Sequence, residues 1–421
     1  MQNFDWRKAV FATAAVSFTV LSAGCGGPIS GSPAAGEVDI RTLAVGNYPT
    51  APLDFRAVYR HSSSDGRPLA IARLADAVIS GADIDPGFRY TAVTRTDPNY
   101  VLAEATKPVL QANHLMLTYS TSVSDRPRLE TLYIDHSSGN SSPLGGWEND
   151  PTATTFNVTV MQFPDEQSAR AAADGIESAD FDVAPADNVR VGLEQYPAAK
   201  AHWRPGIPSM AAAIAHGQYV INVFVRKPAP EIDGLKSLAA KILAAQLPLL
   251  DKTSPLSDRD ILYLDYDPSD MLRRTLHPGD YPRPSQDEAT RTPRGFLHTL
   301  DDQGPWKPLL DDNGVDVIST TAKGALLIRA RDERSAESLL AGINAFIPGS
   351  PDGPPGLSAA TCVQNPSPNR DSFPQGWNAS DRYVCNLHYG RYVARVAGGQ
   401  LIDAQQRAAA QYALLAKAQY L

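Results

Sequence analysis

Apolar and polar positions follow one another along this chain in a succession that occurs twice. Phe156, Val158 and Val160 alternate with polar neighbours up to Phe163, which predicts a strand ended by Pro164. Asp165 then stands where a helix N-cap is needed, with Glu166 in the first turn to complement the helix dipole. Ala211–Ala215 and Gln218–Val225 read as two strands joined at His216-Gly217. Ile232, Leu235, Leu238, Ala239, Ile242 and Leu243 share one helical face, and Pro248 is expected to stop that helix. The second pass has a strand over Ala325–Ala330, a cap at Asp332 and strands over Tyr383–His388 and Arg391–Val396 joined at Tyr389-Gly390. A helix over Ala404–Ala418 closes it. Ahead of both passes, Asp65-Gly66-Arg67-Pro68 reads as a turn and helix start. Leu69, Ala70, Leu74, Ala77 and Val78 continue that helix, and Asp83–Gly87 ends it.

Residue identities repeat as well as the pattern. Lys107-Pro108-Val109-Leu110-Gln111-Ala112-Asn113 is echoed by Lys307-Pro308-Leu309-Leu310-Asp311-Asp312-Asn313. Asp165-Glu166-Gln167-Ser168-Ala169, running to Gly175-Ile176, is echoed by Asp332-Glu333-Arg334-Ser335-Ala336, running to Gly342-Ile343. Gly217-Gln218-Tyr219-Val220 with Val223 returns as Gly390-Arg391-Tyr392-Val393 with Val396, and Ile232-Asp233 returns as Ile402-Asp403. Echoes that keep their order argue for an internal duplication. The expected fold is α+β: two duplicated lobes, each an antiparallel sheet with helices packed on one face, in β-α-β-β-α order. The N-terminal lobe is placed at 51–250 and the C-terminal lobe at 256–421, with Asp251-Lys252-Thr253-Ser254-Pro255 as the junction. The uncharged run Pro205–Val225 is not a membrane span, because its Pro, Ser, His, Gly, Gln and Asn suit a hairpin better.

The amino terminus has a different character. Arg7 and Lys8 precede an uncharged, mostly apolar run from Ala9 to Gly24, followed by Cys25. That is an export signal over residues 1–24, too short to span a bilayer comfortably. Leu21-Ser22-Ala23-Gly24-Cys25 resembles the lipobox of bacterial lipoproteins, with Ser22 where an aliphatic residue is usual. The resemblance implies diacylation of Cys25, which would then be the first mature residue and the anchor to a membrane. Residues 25–50, rich in Gly, Pro, Ser and Ala, read as a flexible tether. Loss of residues 1–24 removes one acid and two bases and takes the net charge from −8 to −9. So acidic a chain has no electrostatic means to hold nucleic acid. With Cys25 acylated, Cys362 and Cys385 are the remaining pair, and an even pair in an exported chain reads as a disulfide.

Catalytic signatures are missing. The chain carries no Gly-x-Ser-x-Gly elbow, His-Glu-x-x-His or phosphate-binding glycine loop. Asp265-Tyr266-Asp267-Pro268-Ser269-Asp270 lacks the turn glycine and distal glutamate of a calcium loop, so neither a metal nor another cofactor is expected. His202-Trp203-Arg204 is the one cluster with ligand-like chemistry: an imidazole, a ring to stack on and a cation. The lipobox, the Lys-Pro…Asn element, the paired Asp-Glu-x-Ser-Ala helices and the Gly-x-Tyr-Val strands together resemble uncharacterised lipoproteins of mycolic-acid-bearing actinobacteria. Those proteins carry a two-part domain of unknown function, and the resemblance implies an envelope location and supplies no catalytic residue. Three function classes follow: a binding or accessory lipoprotein holding a lipid, glycan or envelope protein between its lobes, an envelope assembly protein, or a hydrolase of envelope lipid or glycan.

Overall fold

The computed structural model describes residues 38–54, 59–127, 129–131, 146–148, 150–278, 283–322, 324–347, 349, 352–365 and 382–419. Cys25 and the export signal lie outside them, as does most of the Pro- and Asn-rich stretch after Asn365. Among the described residues the N-terminal lobe opens with helix α1 (Ser63–Asp76), whose cap is the Ser62 hydroxyl accepting from the Asp65 amide. The helix thus starts earlier than the Asp65–Pro68 signal suggests. Pro68 lies inside it and removes only its own main-chain bond. There follow β1 (Tyr90–Arg95), α2 (Lys107–Ala112), β2 (Leu117–Ser124) and a small pair, β3 (Leu129–Thr131) with β4 (Gly146–Glu148). Next come β5 (Thr155–Gln162), α3 (Glu166–Phe181), β6 (Val189–Val191), β7 (Lys200–Trp203), β8 (Ser209–His216), β9 (Tyr219–Arg226) and α4 (Ile232–Leu250). Pro248 does not stop α4, because a proline in the last turn forfeits one bond where the ladder is ending anyway. The seven strands pair in the order β1-β2-β5-β9-β8-β7-β6, all antiparallel.

Helix α5 (Asp258–Leu262) follows and packs on α1, with Ile261 in the same core as the first sheet, and the chain continues through β10 (Ala289–Arg291), α6 (Pro293–Leu297), α7 (Trp306–Asp312), β11 (Val317–Thr321) and β12 (Ala325–Arg329) of the C-terminal lobe. Then come α8 (Glu333–Asn344), β13 (Ala360–Gln364), β14 (Tyr383–Tyr389), β15 (Tyr392–Gly398) and α9 (Leu401–Ala418). Its six strands pair as β10-β11-β12-β15-β14-β13. Strand by strand, that is the N-terminal order without β6, so the duplication extends to topology. Asp165 and Asp332 cap their helices alike, accepting from the Ser168 amide at 2.7 Å and the Ser335 amide at 2.8 Å. Each central hairpin turns at a glycine of positive φ, Gly217 at 55° and Gly390 at 51°, a region that a Cβ disfavours.

The α+β class and the two antiparallel lobes are therefore as expected, but each sheet is wider than the three strands read from the sequence. The helices also pack on both faces instead of one. In the N-terminal sheet, Phe156, Val158, Val160, Ile221 and Val223 join α1 and α4 in the larger core. Their neighbours Met161, Phe163 and Val220 point the other way and join α2 and α3. Strands paired on both sides in mid-sheet bury both faces, so apolar residues at alternating and intervening positions each find a helix.

Both lobes belong to one compact body that runs from Asp39. The end of β1 continues across the joint through Thr91 N–H donating to Asp301 O (2.9 Å) and Gln303 N–H donating to Arg89 O (2.8 Å), reinforced by an Arg89–Asp302 ion pair. At the end of α1, the Asp76 carboxylate accepts from the Thr292 amide (3.0 Å) and hydroxyl (2.8 Å) at the start of α6. His298 Nε2–H donates to Val78 O at 3.1 Å. The stretch read as tether up to residue 50 is ordered from Asp39, since Tyr48 donates to Asp403 and accepts from Arg407 on α9. An aromatic able to bury its ring against a helix is the feature that a composition-based tether reading overlooks.

Asp76 and His298 give the joint opposed pH responses. Burial pushes the Asp76 carboxyl up from 3.8 to about 6. Its contribution to stability is full below the ordinary carboxylate range and is lost as pH rises through about 6. Burial holds His298 down from 6.5 to about 4, so the unfolded chain binds the extra proton there and stability rises with pH over that interval. Asp76→Asn removes only the falling component. The urea midpoint of this variant is expected to climb more steeply from pH 4 to pH 6 than that of the unmodified protein. Parallel profiles would show that Asp76 titrates as an ordinary carboxylate.

Candidate binding face

The α3 side of the N-terminal sheet is not covered uniformly. Cross-strand register puts Arg95, Ser120, Thr159, Asn222, Ala213 and Lys200 in one row. The next row holds Val93, Ser122, Asn157, Phe224, Ala211 and His202. Helix α3 packs across β7, β8 and β9 and contributes Ala169, Ala172, Ala173 and Ile176 to the core on this side. Ser120 and Thr159 in the first row are buried, whereas Ser122, Asn157 and Ala211 in the second are partly open. Phe224 is 42% exposed, although its strand neighbours Val223 and Val225 are fully buried in the core on the opposite face.

A hydroxyl–amide cluster lies beside that ring. Asn157 Nδ2 donates to both Ser120 Oγ and Ser122 Oγ at 2.8 Å, and Thr159 Oγ1 donates to Ser120 Oγ or Asn157 Oδ1 at 2.9 Å. Asn222 is buried at 8% exposure, but its side-chain amide, which bonds none of the described residues, keeps access to solvent. Thr118 Oγ1, two residues before Ser120 on the same face, is buried without a partner among them. Unpaired buried polar atoms cost about 1–3 kcal/mol each and are therefore uncommon without a purpose.

His202, Trp203 and Arg204 do not converge. His202 turns toward α3, with Nδ1 3.5 Å from Glu177 Oε1 and Nε2 3.8 Å from Asp180 Oδ2. Arg190, opposite it on β6, pairs with Glu177 and lies over the Phe181 ring at 4.2 Å. Burial pushes the Asp180 carboxyl up. Trp203, one residue on, faces the other side, packs on the larger core and donates to Ile207 O at 2.8 Å. Arg204 is exposed in the turn beyond. Strand alternation forbids adjacent residues from sharing a face, so one site built from all three is excluded. His202 alone shares the row of Phe224, two strands away. Phe224 and Asn222 escape a sequence reading because β9 reads simply as an apolar run, and Asn157 because it is one polar step in the alternation of β5.

The C-terminal lobe fills the matching place. Offset by the hairpin repeat, Asn222 corresponds to Arg395 and Phe224 to Ala397. Arg395 is 1% exposed, donates from Nε to Asn386 Oδ1 at 2.8 Å and lies 5.7 Å from the Trp306 ring. Burial brings its guanidinium down to about 9. Trp306 meets Phe296 and Phe346 with ring centroids 5.3 and 5.2 Å apart. Its N-terminal counterpart is Thr106, which cannot reach over the sheet. Cys362 and Cys385 face each other across β13 and β14 and are disulfide-bonded, where β7 and β8 carry the facing pair Ala201 and Ala212. On the chain-entropy estimate this bridge stabilises the lobe by about 3 kcal/mol.

Two other recesses differ in kind. A cavity of about 60 Å³ at the joint is lined by Thr94, Tyr119, Asp287, Arg291 and Thr299, enough for a few waters. A wider one of about 600 Å³ lies between His114, Met116 and Gln218 on one side and Leu256, Ser257 and Asp260 on the other. The Ser257 hydroxyl there donates to Asp260 at 2.6 Å as part of a helix cap, so it is not arranged as a nucleophile. No helix among the described residues is long and apolar enough to cross a membrane.

A comparison with curated proteins finds no relative that matches this chain. Among solved structures, the extracellular domain of PknH from Mycobacterium tuberculosis is similar at 13% identity and a TM-score of 0.27, over 46% of this chain and 100% of that one. Two family models match, described as the N-terminal and C-terminal parts of a domain of unknown function, DUF7373, over residues 58–266 and 271–418. With most of its length matched in these two parts, the chain belongs to the DUF7373 family.

Proposed function

We propose that this protein is an exported lipoprotein of the cell envelope, tethered through acylated Cys25, that acts as a non-enzymatic binding module. The observation that carries the binding role is the contrast between twins: in one lobe Trp306 lies over Arg395 and Ala397 is fully buried, whereas in the other Phe224 is 42% exposed and Asn157 partly open. The Cys362–Cys385 bridge supports export, because such bonds persist in oxidising compartments. Residues 26–38 would then join the anchored cysteine to the body that begins at Asp39. One acyl chain binds a membrane only marginally, so stable attachment requires the two chains of a diacylated cysteine.

Cys25→Ser is the direct test. The unmodified protein is expected to sediment with membranes and to take up labelled palmitate, and the variant to do neither. Membrane retention by the variant without label would refute the anchor.

A further inference from the structure

We propose that the open face of the N-terminal lobe binds a neutral glycan, with Phe224 stacking on a sugar ring and the neighbouring hydroxyl and amide groups bonding its hydroxyls. This rests on the binding reading given above and names the ligand class. Phe224 offers an exposed apolar ring on an otherwise polar surface, the arrangement that the apolar C–H face of a pyranose or furanose requires. Ser122 and Asn157 lie beside it in the same row, and Ala211 on its other side leaves room for a ring to lie flat. One row inward, Asn222 brings a side-chain amide that bonds none of the described residues and supplies both a donor and an acceptor. A sugar hydroxyl, itself donor and acceptor, can bond both in place of water.

The other ligand classes fit less well. From Val93 through Ser122, Asn157 and Phe224 to Ala211 the row has no charged side chain, and the cations of this face, Arg226 in the row beyond and Arg95 and Lys200 in the row inward, lie around it, so an acidic sugar is the competing ligand that the experiment below separates. A lipid chain would bury three polar side chains against hydrocarbon for one aromatic contact. A peptide gains its affinity on a sheet by adding a strand, but β5, β9 and β8 are mid-sheet strands paired on both sides. The C-terminal lobe is the internal control, because the residue matching Phe224 there is the fully buried Ala397.

Hydrogen-exchange mass spectrometry on the full chain tests this. The probes are neutral tetrasaccharides of hexose and of pentose units at millimolar concentration, a uronic-acid tetrasaccharide and phosphatidylglycerol vesicles. At least one neutral tetrasaccharide is expected to slow exchange in residues 219–226 and 155–162. Phe224→Ala and Asn222→Leu are each expected to weaken that binding by about tenfold. Arg67→Ala, in the wider recess, is expected to leave it unchanged. Phe224 is exposed, so its variant folds, and an unshifted melting curve confirms this. Protection of these strands by the acidic sugar or the vesicles, and by no neutral sugar, would overturn the glycan assignment and leave the binding face intact. Protection by no probe, or protection that survives Phe224→Ala, would overturn the face as well.

Discussion

Replacing Gln246 or Gln411 by leucine is expected to destabilise the protein by about 4 kcal/mol, from two main-chain groups orphaned at about 1–3 kcal/mol each. Both glutamines are completely buried on the last helix of their lobes. Gln246 accepts from the Ile79 amide at 3.1 Å and donates to Ala77 O at 2.7 Å. Gln411 accepts from the Leu276 amide at 2.7 Å and donates to Arg274 O at 2.8 Å. Each side chain therefore does for an irregular segment what a neighbouring strand does elsewhere, satisfying a carbonyl and the amide two residues on. Leucine fills the space but bonds neither, and no β-ladder is available to take over. Urea unfolding monitored by circular dichroism measures the effect. A shift equivalent to less than about 1 kcal/mol would show that water reaches these groups.

These two clasps also show what the sequence could and could not reveal. The duplication was legible because the echoed residues have local duties. Asp165 and Asp332 cap helices, Asn113 and Asn313 bond back to Val109 O and Leu309 O, and Gly217 and Gly390 make positive-φ turns. Such duties act within a few residues, so they leave a signature in the string. The duty of Gln246 is to residues 77 and 79, far away in the chain, and in sequence it is one polar letter in an apolar helix. The edge strands were illegible for another reason. β6 and β10 span three residues each, and β1 is broken by a bulge between Thr91 and Val93, so none completes two alternations. The cysteine pair could be read from its count, but its place across two strands needed the register. For the binding face, hydropathy misled: Tyr219–Val225 reads as a core strand, and only the fold shows that the helix covering its second face stops short of Phe224.

Trp306→Ala should cost about 3–5 kcal/mol, the usual range for deleting a buried large aromatic. Trp306 is 1% exposed and is held between Phe296 and Phe346, with Arg395 beneath it. Its removal forfeits apolar burial and two edge or tilted ring contacts. It also lets water reach a guanidinium whose ionised form burial disfavours. The last effect works in the opposite direction, because rehydrating Arg395 relieves part of the desolvation it suffers in the intact lobe. A loss near the bottom of the range would therefore mean that Arg395 swings into the vacated space, and one near the top that the space stays dry. Trp306→Ala combined with Arg395→Met separates these cases. If hydrated Arg395 limits the damage, the methionine is expected to add to the loss in the alanine background, while in the unmodified background it is neutral or stabilising, as buried charges replaced by apolar groups often are. The N-terminal lobe indicates which outcome to expect. With the smaller Thr106 and Asn222 buried at these positions the N-terminal lobe folds without the pair, so the duplicated scaffold does not need the plug in order to fold. The double variant measures how much of the C-terminal lobe's stability depends on the contact between plug and guanidinium.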